Sequence, residues 1–289
     1  MTVLRLFPLP QQQSALQGLY LSLNLHRQAA AGEMLIYSNF ITTLDGRISV
    51  REPESGEYTV PESIANKRDW RLYQELAAQS DVMLTSARYF RQLARGRAQD
   101  LLPVGAAPEY ADLRVWRKEQ GLKEQPDVMV LSNSLDIPMQ ALEKVQERSV
   151  TVLTSRQADR KKVERLQSHG LTVLVAGSHA VEGHLLRQLL IRQGYRSAYM
   201  IAGPQVHRTL VAAQVLDRMF LSTHFTLLGG DAFHTIMEGD TGNPVQAKLR
   251  SLYLDQCASS PQLFADYDFI MNEQTSRAAD GSDHANVLK

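Results

Sequence analysis

The chain contains 289 residues, of which 44% are hydrophobic and 21% charged, enough apolar residues to bury a sizeable core. Lys and Arg number 31 and Asp and Glu number 31, so no overall charge attracts the chain to nucleic acid or anionic lipid. The one cysteine, Cys257, excludes an intramolecular disulfide and a cysteine-based zinc cluster. Residues 1–8 lack a signal-peptide pattern, so we expect a globular protein of a reducing compartment, the cytoplasm by default.

The chain begins with an extension, residues 1–32, in which Leu16, Leu19, Tyr20 and Leu23 follow a helical spacing that could pack on the main body. From residue 34, short apolar runs alternate with amphipathic stretches, a pattern typical of crossover units and a mainly parallel sheet. Strands are predicted over residues 34–42, 81–85, 127–132, 149–154, 171–175, 197–202 and 216–225. Helices are predicted over residues 63–79, 159–169, 179–193 and 205–214.

Three further segments complete the prediction. Residues 96–125 interrupt the alternation and are interpreted as an insertion. Residues 247–254 and 262–270 predict an antiparallel hairpin that closes the edge of the sheet. Residues 272–289 are polar and predict a disordered tail. The expected organisation is therefore an extension, one α/β domain over residues 33–271, and a tail.

Polar residues at the predicted strand ends are candidates for a ligand site, because open α/β sheets bind ligands at that edge. Asn39 lies within the first main strand and is expected either to face a ligand or to clamp buried backbone. Asp45 and Gly46 follow the same strand and also fit an ordinary turn. Hydroxyl side chains end later strands and could hold phosphate or ribose; they are Thr85, Ser86, Ser132, Ser134, Thr154 and Ser155.

A nucleotide site of unusual type is consistent with two short motifs. Arg156 follows two hydroxyl residues, a combination suited to the 2′-phosphate of NADP. Gly203 and Pro204 open a predicted helix whose backbone N–H groups could bind a pyrophosphate. Neither G-x-G-x-x-G nor a P-loop motif occurs, so a standard Rossmann or P-loop site is excluded.

Metal-dependent and covalent hydrolase chemistry are both disfavoured. His179 and His184 are five residues apart, which places them on different faces of a helix, so they do not form a metal site with Glu182. The sequence has no G-x-S-x-G motif, and Cys257 has no catalytic context.

An ordered set of motifs resembles the riboflavin-biosynthesis pyrimidine reductases, including the carboxy-terminal domain of the bifunctional deaminase-reductase. The matching segments lie between residues 34 and 271: SNFITTLDGRI (38–48), AAQSDVMLTSAR (77–88), IAGP (201–204), QVLDRMFL (214–221) and TLLGG (226–230). The resemblance implies a three-layer α/β, dihydrofolate reductase-like fold with a mainly parallel central sheet, helices on both faces and a C-terminal antiparallel hairpin.

The resemblance also implies an activity and a site. The expected reaction is NADPH-dependent reduction of 5-amino-6-(5-phosphoribosylamino)uracil, or its diamino pyrimidinone analogue, with hydride transfer to the ribosyl C1′, in a homodimer that needs no metal. Asp45 would orient the substrate or relay a proton, and Asn39 and Thr43 would bind the substrate. The cofactor would be held by Thr85, Ser86, Ala87, Arg88, Thr154, Ser155, Arg156, Val175, Ala176, Gly177, Gly203, Pro204, Gln205 and Val206.

The chain departs from the family pattern at two places. The acids of the Thr-x-x-x-Asp-Asp-Pro run are missing from residues 89–95, and the Glu of the Glu-Gly-Gly element is missing before Gly203. The zinc deaminase signature is also absent, so a reductase alone is expected. Two alternatives stay open: an NADPH-dependent reductase of another small heterocyclic or carbonyl compound, and a non-catalytic fold-mate that binds a nucleotide or a partner protein.

Overall fold

The computed structural model describes residues 1–98, 107–145, 148–257 and 259–270. The strands in these ranges are β1 (Thr2–Phe7), β2 (Gln12–Ala15), β3 (Leu35–Thr43), β4 (Ser49–Arg51), β5 (Tyr58–Thr59), β6 (Val82–Ser86), β7 (Asp127–Leu131), β8 (Val150–Thr154), β9 (Thr172–Val175), β10 (Ser197–Met200), β11 (Arg218–His224), β12 (Phe233–His234), β13 (Ala247–Asp255) and β14 (Gln262–Phe269). The helices are α1 (Lys67–Ala78), α2 (Ala87–Ala94), α3 (Ala111–Glu119), α4 (Met139–Glu143), α5 (Arg160–Ser168), α6 (Gly183–Arg192) and α7 (Pro204–Ala212).

Eleven of the described strands form one sheet in the order β2-β1-β13-β14-β11-β3-β10-β6-β7-β8-β9. The strands from β11 to β9 in this order are all parallel, whereas β14, β13, β1 and β2 add antiparallel pairs at one side. A small second sheet has the order β12-β4-β5. The predicted fold class, a mainly parallel α/β sheet with a C-terminal antiparallel hairpin, is confirmed.

Helices cover both faces of the sheet because successive strand residues point in opposite directions. Tyr37 of β3 lies in a cluster with Leu72 and Leu76 of α1, and its ring stacks on that of Tyr199 at 5.1 Å between centroids. Ile36, the preceding residue, packs in a separate cluster with residues of α6 and α7. A third cluster joins β7 and β8 to α2, α4 and α5.

The predicted strands and helices of the α/β region are present, with boundaries that differ by a few residues. Helix α1 begins at Lys67 rather than 63 because the Asn66 side chain caps it, accepting hydrogen bonds from the N–H groups of Arg68 and Asp69. Helix α6 begins four residues later than predicted because Glu182 N–H donates to Ala176 O, closing a loop before the helix. The sequence analysis missed α2, α4 and the small sheet.

The helical spacing of the N-terminal extension does not form an α-helix. The segment contains β1, β2 and two short 3-10 turns, Leu21–Leu23 and Leu25–Arg27. Gly18 (φ +83°) and Asn24 (φ +51°) adopt left-handed backbone conformations, which interrupt a continuous helix. Leu16, Leu19 and Tyr20 are nevertheless buried against the face of the sheet that carries α1, so the expected packing on the main body occurs.

The predicted C-terminal hairpin is formed by β13 and β14, but it does not lie at the edge of the sheet. Strand β1 pairs with β13, and β2 is the outer strand, so the N-terminal hairpin of β1 and β2 occupies that edge of the sheet. A local sequence pattern identifies a hairpin but not the distant strand that pairs with it. The predicted tail, residues 272–289, lies outside the described residues.

The described part of the predicted insertion is held against α1. Helix α3 packs through Leu113 and Trp116 near Ala78. The buried Arg117 guanidinium donates hydrogen bonds to Ala78 O at 2.7 Å and to Ser80 O at 2.9 Å, which satisfies carbonyls at the end of α1.

The buried carboxylate of Glu75 fixes the N-terminal segment to α1. It accepts hydrogen bonds from the backbone N–H groups of Gly18 at 2.6 Å and Tyr20 at 2.9 Å, and it pairs with Arg71 at 2.8 Å. Because these donors would lack partners without the carboxylate, Glu75 links the segment to the core by satisfied polar contacts.

We predict that Glu75→Gln lowers the free energy of unfolding by about 3 kcal/mol, because the amide loses the charge and turns an NH₂ group toward backbone donors. Urea unfolding followed by tryptophan fluorescence measures the change. The control is Glu119→Gln on the exposed surface of α3, which should change the free energy by less than about 0.5 kcal/mol. Equal effects of the two variants would show that Glu75 does not stabilise the segment.

Candidate active site

A cavity of about 720 Å³ opens at the carboxyl ends of β3, β10 and β6, on the face of the sheet covered by α1. Asn39 within β3, Thr85 near the end of β6 and Ile201 just after β10 form part of its wall. The opposite wall includes Tyr58 and Trp70. No lining residue comes from the N-terminal extension, so within the described residues this segment does not cover the cavity.

Three helices begin at the cavity, and two of them lack a side-chain cap. Asn66 caps α1, as described above, whereas Ser86 before α2 and Gly203 before α7 make no capping hydrogen bond. Ser86, Gly203 and Pro204 line the cavity. Free backbone N–H groups and the helix dipole favour an anion at such a position.

The charged side chains of the cavity are mostly basic. Lys67, Arg88 and Arg97 line it. Arg88 donates to Tyr58 O at 2.5 Å, and burial lowers the pKa of its guanidinium from the ordinary value. Arg97 lies 3.8 Å from Glu57, too long for a strong pair. The cavity therefore suits a ligand that carries negative charge.

Asp69 is the carboxylate among the described lining residues, and the sequence analysis did not identify it. It occupies the third position of α1, where an acid ordinarily interacts with the helix dipole at the surface. Here its Oδ1 is shielded from solvent and has no hydrogen-bond partner. Burial raises the pKa of the Asp69 carboxyl to about 6, although a hydrogen bond from Ser222 opposes the shift.

Asn39 lies on the cavity wall beside a buried tyrosine. Burial raises the pKa of Tyr199 well above its ordinary value, and the neighbouring Asn39 side chain opposes this shift. The nearby Asp69 charge also raises the pKa of Tyr199. Asn39 and Asp69 therefore form a polar floor of the cavity, with the buried Tyr199 beside them. The substrate-binding role predicted for Asn39 stays a prediction.

Thr43 and Asp45 form a separate polar cluster that does not line the cavity. The Thr43 hydroxyl donates to Asp45 Oδ1, and Asp45 Oδ2 pairs with Arg47 at 2.6 Å and accepts from the N–H groups of Leu228 and Gly229. The hydrogen bond from Thr43, followed by that from Gly229, lowers the pKa of Asp45. The carboxylate thus connects two turns, and its predicted catalytic role stays a prediction.

The expected cofactor residues fall into two groups. Thr85, Ser86, Arg88, Gly203 and Pro204 line the cavity, and Ala87, Gln205 and Val206 lie in the first turns of α2 and α7 behind them. Farther along the same sheet edge, the segments 154–156 and 175–177 lie side by side. Their backbones join through hydrogen bonds from Ala176 N to Thr154 O (2.8 Å) and from Arg156 N to Gly177 O (2.9 Å).

The second group, the segments 154–156 and 175–177, has polar groups and a tight turn that could contact a ligand outside the cavity. The buried Thr154 hydroxyl has no hydrogen-bond partner, Ser155 is buried, and Arg156 is exposed. A Cβ at Gly177 would approach Ala180 O to 1.8 Å, so this turn requires glycine. These residues are neighbours of one another, as expected, and are separated from the cavity by β7.

Two further properties concern the described part of the chain as a whole. No group of three or more His, Cys, Asp or Glu side chains there is arranged to hold a metal ion. None of its helices combines the length and the apolar character needed to cross a membrane.

We predict that Asp69→Asn stabilises the protein near neutral pH. The raised pKa means that the folded state holds the Asp69 proton more tightly than the unfolded state, so wild-type stability falls as pH rises from the ordinary value of 3.8 to about 6. Asparagine cannot ionise, so its free energy of unfolding at pH 7.5 should exceed that of wild type by roughly 2 kcal/mol, with no such gain at pH 3.5. Denaturant unfolding at both pH values measures this.

The control is Glu62→Gln, an exposed acid shortly before α1, which should change stability by less than about 0.5 kcal/mol at either pH. A loss of stability in Asp69→Asn at pH 7.5 would contradict the assignment of an unpaired carboxylate.

Comparison with known structures supports the fold. A pyrimidine reductase-like protein from Corynebacterium diphtheriae is similar with a TM-score of 0.66 and 18% identity, covering 83% of this chain and 93% of that protein. RibD from Acinetobacter baumannii has a TM-score of 0.58 and 18% identity, covering 83% of this chain and 58% of RibD. The riboflavin biosynthesis reductase of Saccharomyces cerevisiae has a TM-score of 0.56 and 12% identity, covering 88% of this chain and 99% of that protein.

Sequence comparison identifies the family. The chain is 19% identical over 201 residues to the 2,5-diamino-6-ribosylamino-4(3H)-pyrimidinone 5′-phosphate reductase of Aquifex aeolicus, covering 69% of this chain and 90% of that enzyme. Residues 34–259 match the family described as the RibD C-terminal domain, which confirms the resemblance drawn from the motifs. The chain therefore belongs to the RibD C-terminal domain family, the pyrimidine reductases of riboflavin biosynthesis.

Proposed function

We propose that the protein is an NADPH-dependent reductase of 5-amino-6-(5-phosphoribosylamino)uracil or its 2,5-diamino pyrimidinone analogue, and that hydride transfer to the ribosyl C1′ gives the ribitylamino product. The observation that carries this proposal is the cavity at the strand ends, where two uncapped helix N-termini meet basic side chains. The Aquifex aeolicus relative is named for the reduction of a diamino pyrimidinone of this type.

The residues present fit a phosphorylated dinucleotide. The starts of α2 and α7, which have no side-chain cap, suit a pyrophosphate, and a Cβ at Gly203 would meet nothing within 4 Å, so the backbone there is open to a ligand. The unpartnered Thr154 hydroxyl and the exposed Arg156 suit the ribose and 2′-phosphate at the adenosine end. When bound, the reduced nicotinamide supplies the hydride.

The chain itself contributes binding, orientation and exclusion of water. Lys67 and Arg97 are the cations on the cavity wall that would pair with the substrate phosphate. Asn39 can hydrogen-bond a pyrimidine or ribose group from the floor, and the rings of Trp70 and Tyr73, stacked at 4.7 Å between centroids, form an apolar wall beside it. Positioning of two ligands in a partly closed cavity accounts for much of the rate of such a transfer.

We propose that Asp45 and Thr43 influence this site indirectly, by holding the backbone of the turn after β3 in place. Their cluster fixes the turn after β3, and Ile48 and Ser49, which follow this turn, line the cavity. A homodimer and a cytoplasmic location, which the family resemblance and the disulfide-free composition favour, complete the proposal.

Helix α2 favours a second candidate, a reductase of another small heterocyclic or carbonyl compound. Where typical family members carry paired acids, this chain presents Tyr89 and Gln92 to the cavity. The absence of these two carboxylates removes hydrogen-bond acceptors for substrate hydroxyl or amino groups. Reduction of a different substrate is therefore the main alternative function.

The test of function combines binding and turnover. We expect nicotinamide fluorescence to report NADPH binding more tightly than NADH, and absorbance near 340 nm to fall when the ribosylaminopyrimidine phosphate is added. Binding without oxidation would support the second candidate. Failure to bind either dinucleotide would contradict both reductase proposals and leave the non-catalytic alternative.

Arg156→Ala tests the adenosine end. Loss of the guanidinium should weaken NADPH binding by about tenfold, equivalent to about 1.4 kcal/mol, and leave NADH binding nearly unchanged, because NADH lacks the 2′-phosphate. Fluorescence titration of both nucleotides measures this, with the exposed Arg192→Ala on α6 as the control for general loss of positive charge. Equal weakening of NADPH and NADH binding would remove Arg156 from cofactor selection.

A further inference from the structure

Asp69 differs from the other ionisable groups of the cavity because no cation neutralises it. Its sequence neighbour Arg68 is engaged by Asp255, at 2.5 Å and 2.7 Å, on the other side of the helix start. Lys67 is exposed, and Arg88 is engaged by Tyr58 O. A carboxylate with one shielded, unpartnered oxygen costs folding free energy, and its place on the wall of a ligand cavity makes it a candidate for a functional role.

The surroundings of Asp69 favour its protonated form up to about pH 6. Desolvation is the main cause of its raised pKa, and Ser222 on β11 opposes it. Two neighbouring tyrosines are uncharged at this pH, because the pKa values of Tyr20 and Tyr199 are raised well above the ordinary value. The remaining titratable groups that line the cavity with Asp69 are Tyr58, Lys67, Tyr73, Arg88, Tyr89 and Arg97.

Asp45 has the opposite character. Its carboxylate accepts hydrogen bonds from Thr43, Arg47 and the turn at Leu228 and Gly229, and these donors hold it in the ionised form. An ionised carboxylate with its oxygens occupied cannot supply a proton. Of the two acids at this end of the sheet, Asp69 is the one whose environment suits proton donation.

We propose that Asp69 is the catalytic general acid of this chain, donating its proton to the ribose ring oxygen of the substrate. This inference rests on the proposed function. The proton passes to O4′ as the C1′–O4′ bond breaks and the nitrogen lone pair forms a C1′=N⁺ iminium. A hydride from the reduced nicotinamide dinucleotide then adds to C1′ and gives the neutral amine. One proton and one hydride are consumed, the dinucleotide is oxidised, and solvent reprotonates Asp69.

The same side chain then serves a second purpose in that step. After proton transfer, the Asp69 carboxylate lies in the cavity with the positively charged iminium, so the charge that was unfavourable in the empty cavity becomes stabilising. This explains why an acid without a protein cation partner occupies the floor of the site.

The experiment compares wild type, Asp69→Asn, Asp69→Glu and the control Glu62→Gln in steady-state reduction of the ribosylaminopyrimidine phosphate from pH 5 to 9. We expect Asp69→Asn to lower kcat by at least about 100-fold while the NADPH dissociation constant changes less than about threefold, because general acid catalysis contributes factors of this size. Wild-type kcat should fall with rising pH as Asp69 ionises. This fall of kcat with rising pH should be absent in Asp69→Asn, partly restored in Asp69→Glu and unchanged in Glu62→Gln.

A measurement without substrate or cofactor accompanies the kinetics. In wild-type protein labelled with ¹³C at the aspartate carboxyl carbons, the resonance missing from Asp69→Asn should titrate near pH 6. Titration of this resonance below about pH 5 would overturn the proposal, whether or not the variants fold well.

The outcomes separate the two proposals. Wild-type turnover with more than a third of kcat retained in Asp69→Asn would overturn the role of Asp69 and leave the proposed function in place. No turnover by wild type would overturn the proposed function and the inference that rests on it. Both proposals are supported if wild type turns over the substrate and Asp69→Asn loses both the high kcat and the fall of kcat with rising pH.

Discussion

The parallel pairing of β3 with β10 on one side and β11 on the other is the constraint on which the rest of the structure depends. Ser38 pairs with Met200 and with Met219, so the central strand is bonded along both sides. Because these strands run in the same direction, their carboxyl ends share one edge, and the chain must leave that edge to begin its helices. The starts of α1, α2 and α7 and the cavity between them follow from this arrangement.

Polar groups at the carboxyl edge of the parallel strands oppose folding, and interactions elsewhere offset them. The unpartnered Asp69 oxygen and Thr154 hydroxyl lack the hydrogen bonds that buried polar atoms ordinarily make. Away from this edge, two buried charges are well satisfied: Arg218 bonds Asp266 across β11 and β14, and Glu75 holds the N-terminal segment. These contacts supply stability at a distance from the edge that keeps groups available for ligands.

The two acids near the end of β3 illustrate how environment assigns roles to the same functional group. Asp45 is surrounded by donors and joins two turns, whereas Asp69 is desolvated and only a hydrogen bond from Ser222 opposes the effect of burial on its pKa. Donors favour the ionised carboxyl and burial favours the protonated one, so their pKa values move in opposite directions. The residue within the family motif thus has structural contacts, and a residue outside every motif faces the cavity.

The sequence by itself determined most strands and four helices of the α/β region, the C-terminal hairpin and the family, because apolar periodicity and short motifs are local properties of the chain. It also identified Asn39 within the central strand, the polar strand end at Thr85 and the helix start at Gly203. Only the tertiary structure decided that β10 lies between β3 and β6, that the extension forms a hairpin beside β13, and that Asp69 Oδ1 is shielded from solvent. These features depend on contacts between residues far apart in the chain, which no local pattern specifies: an acid at the start of a helix has the same sequence signature whether solvent or a cavity lies beside it.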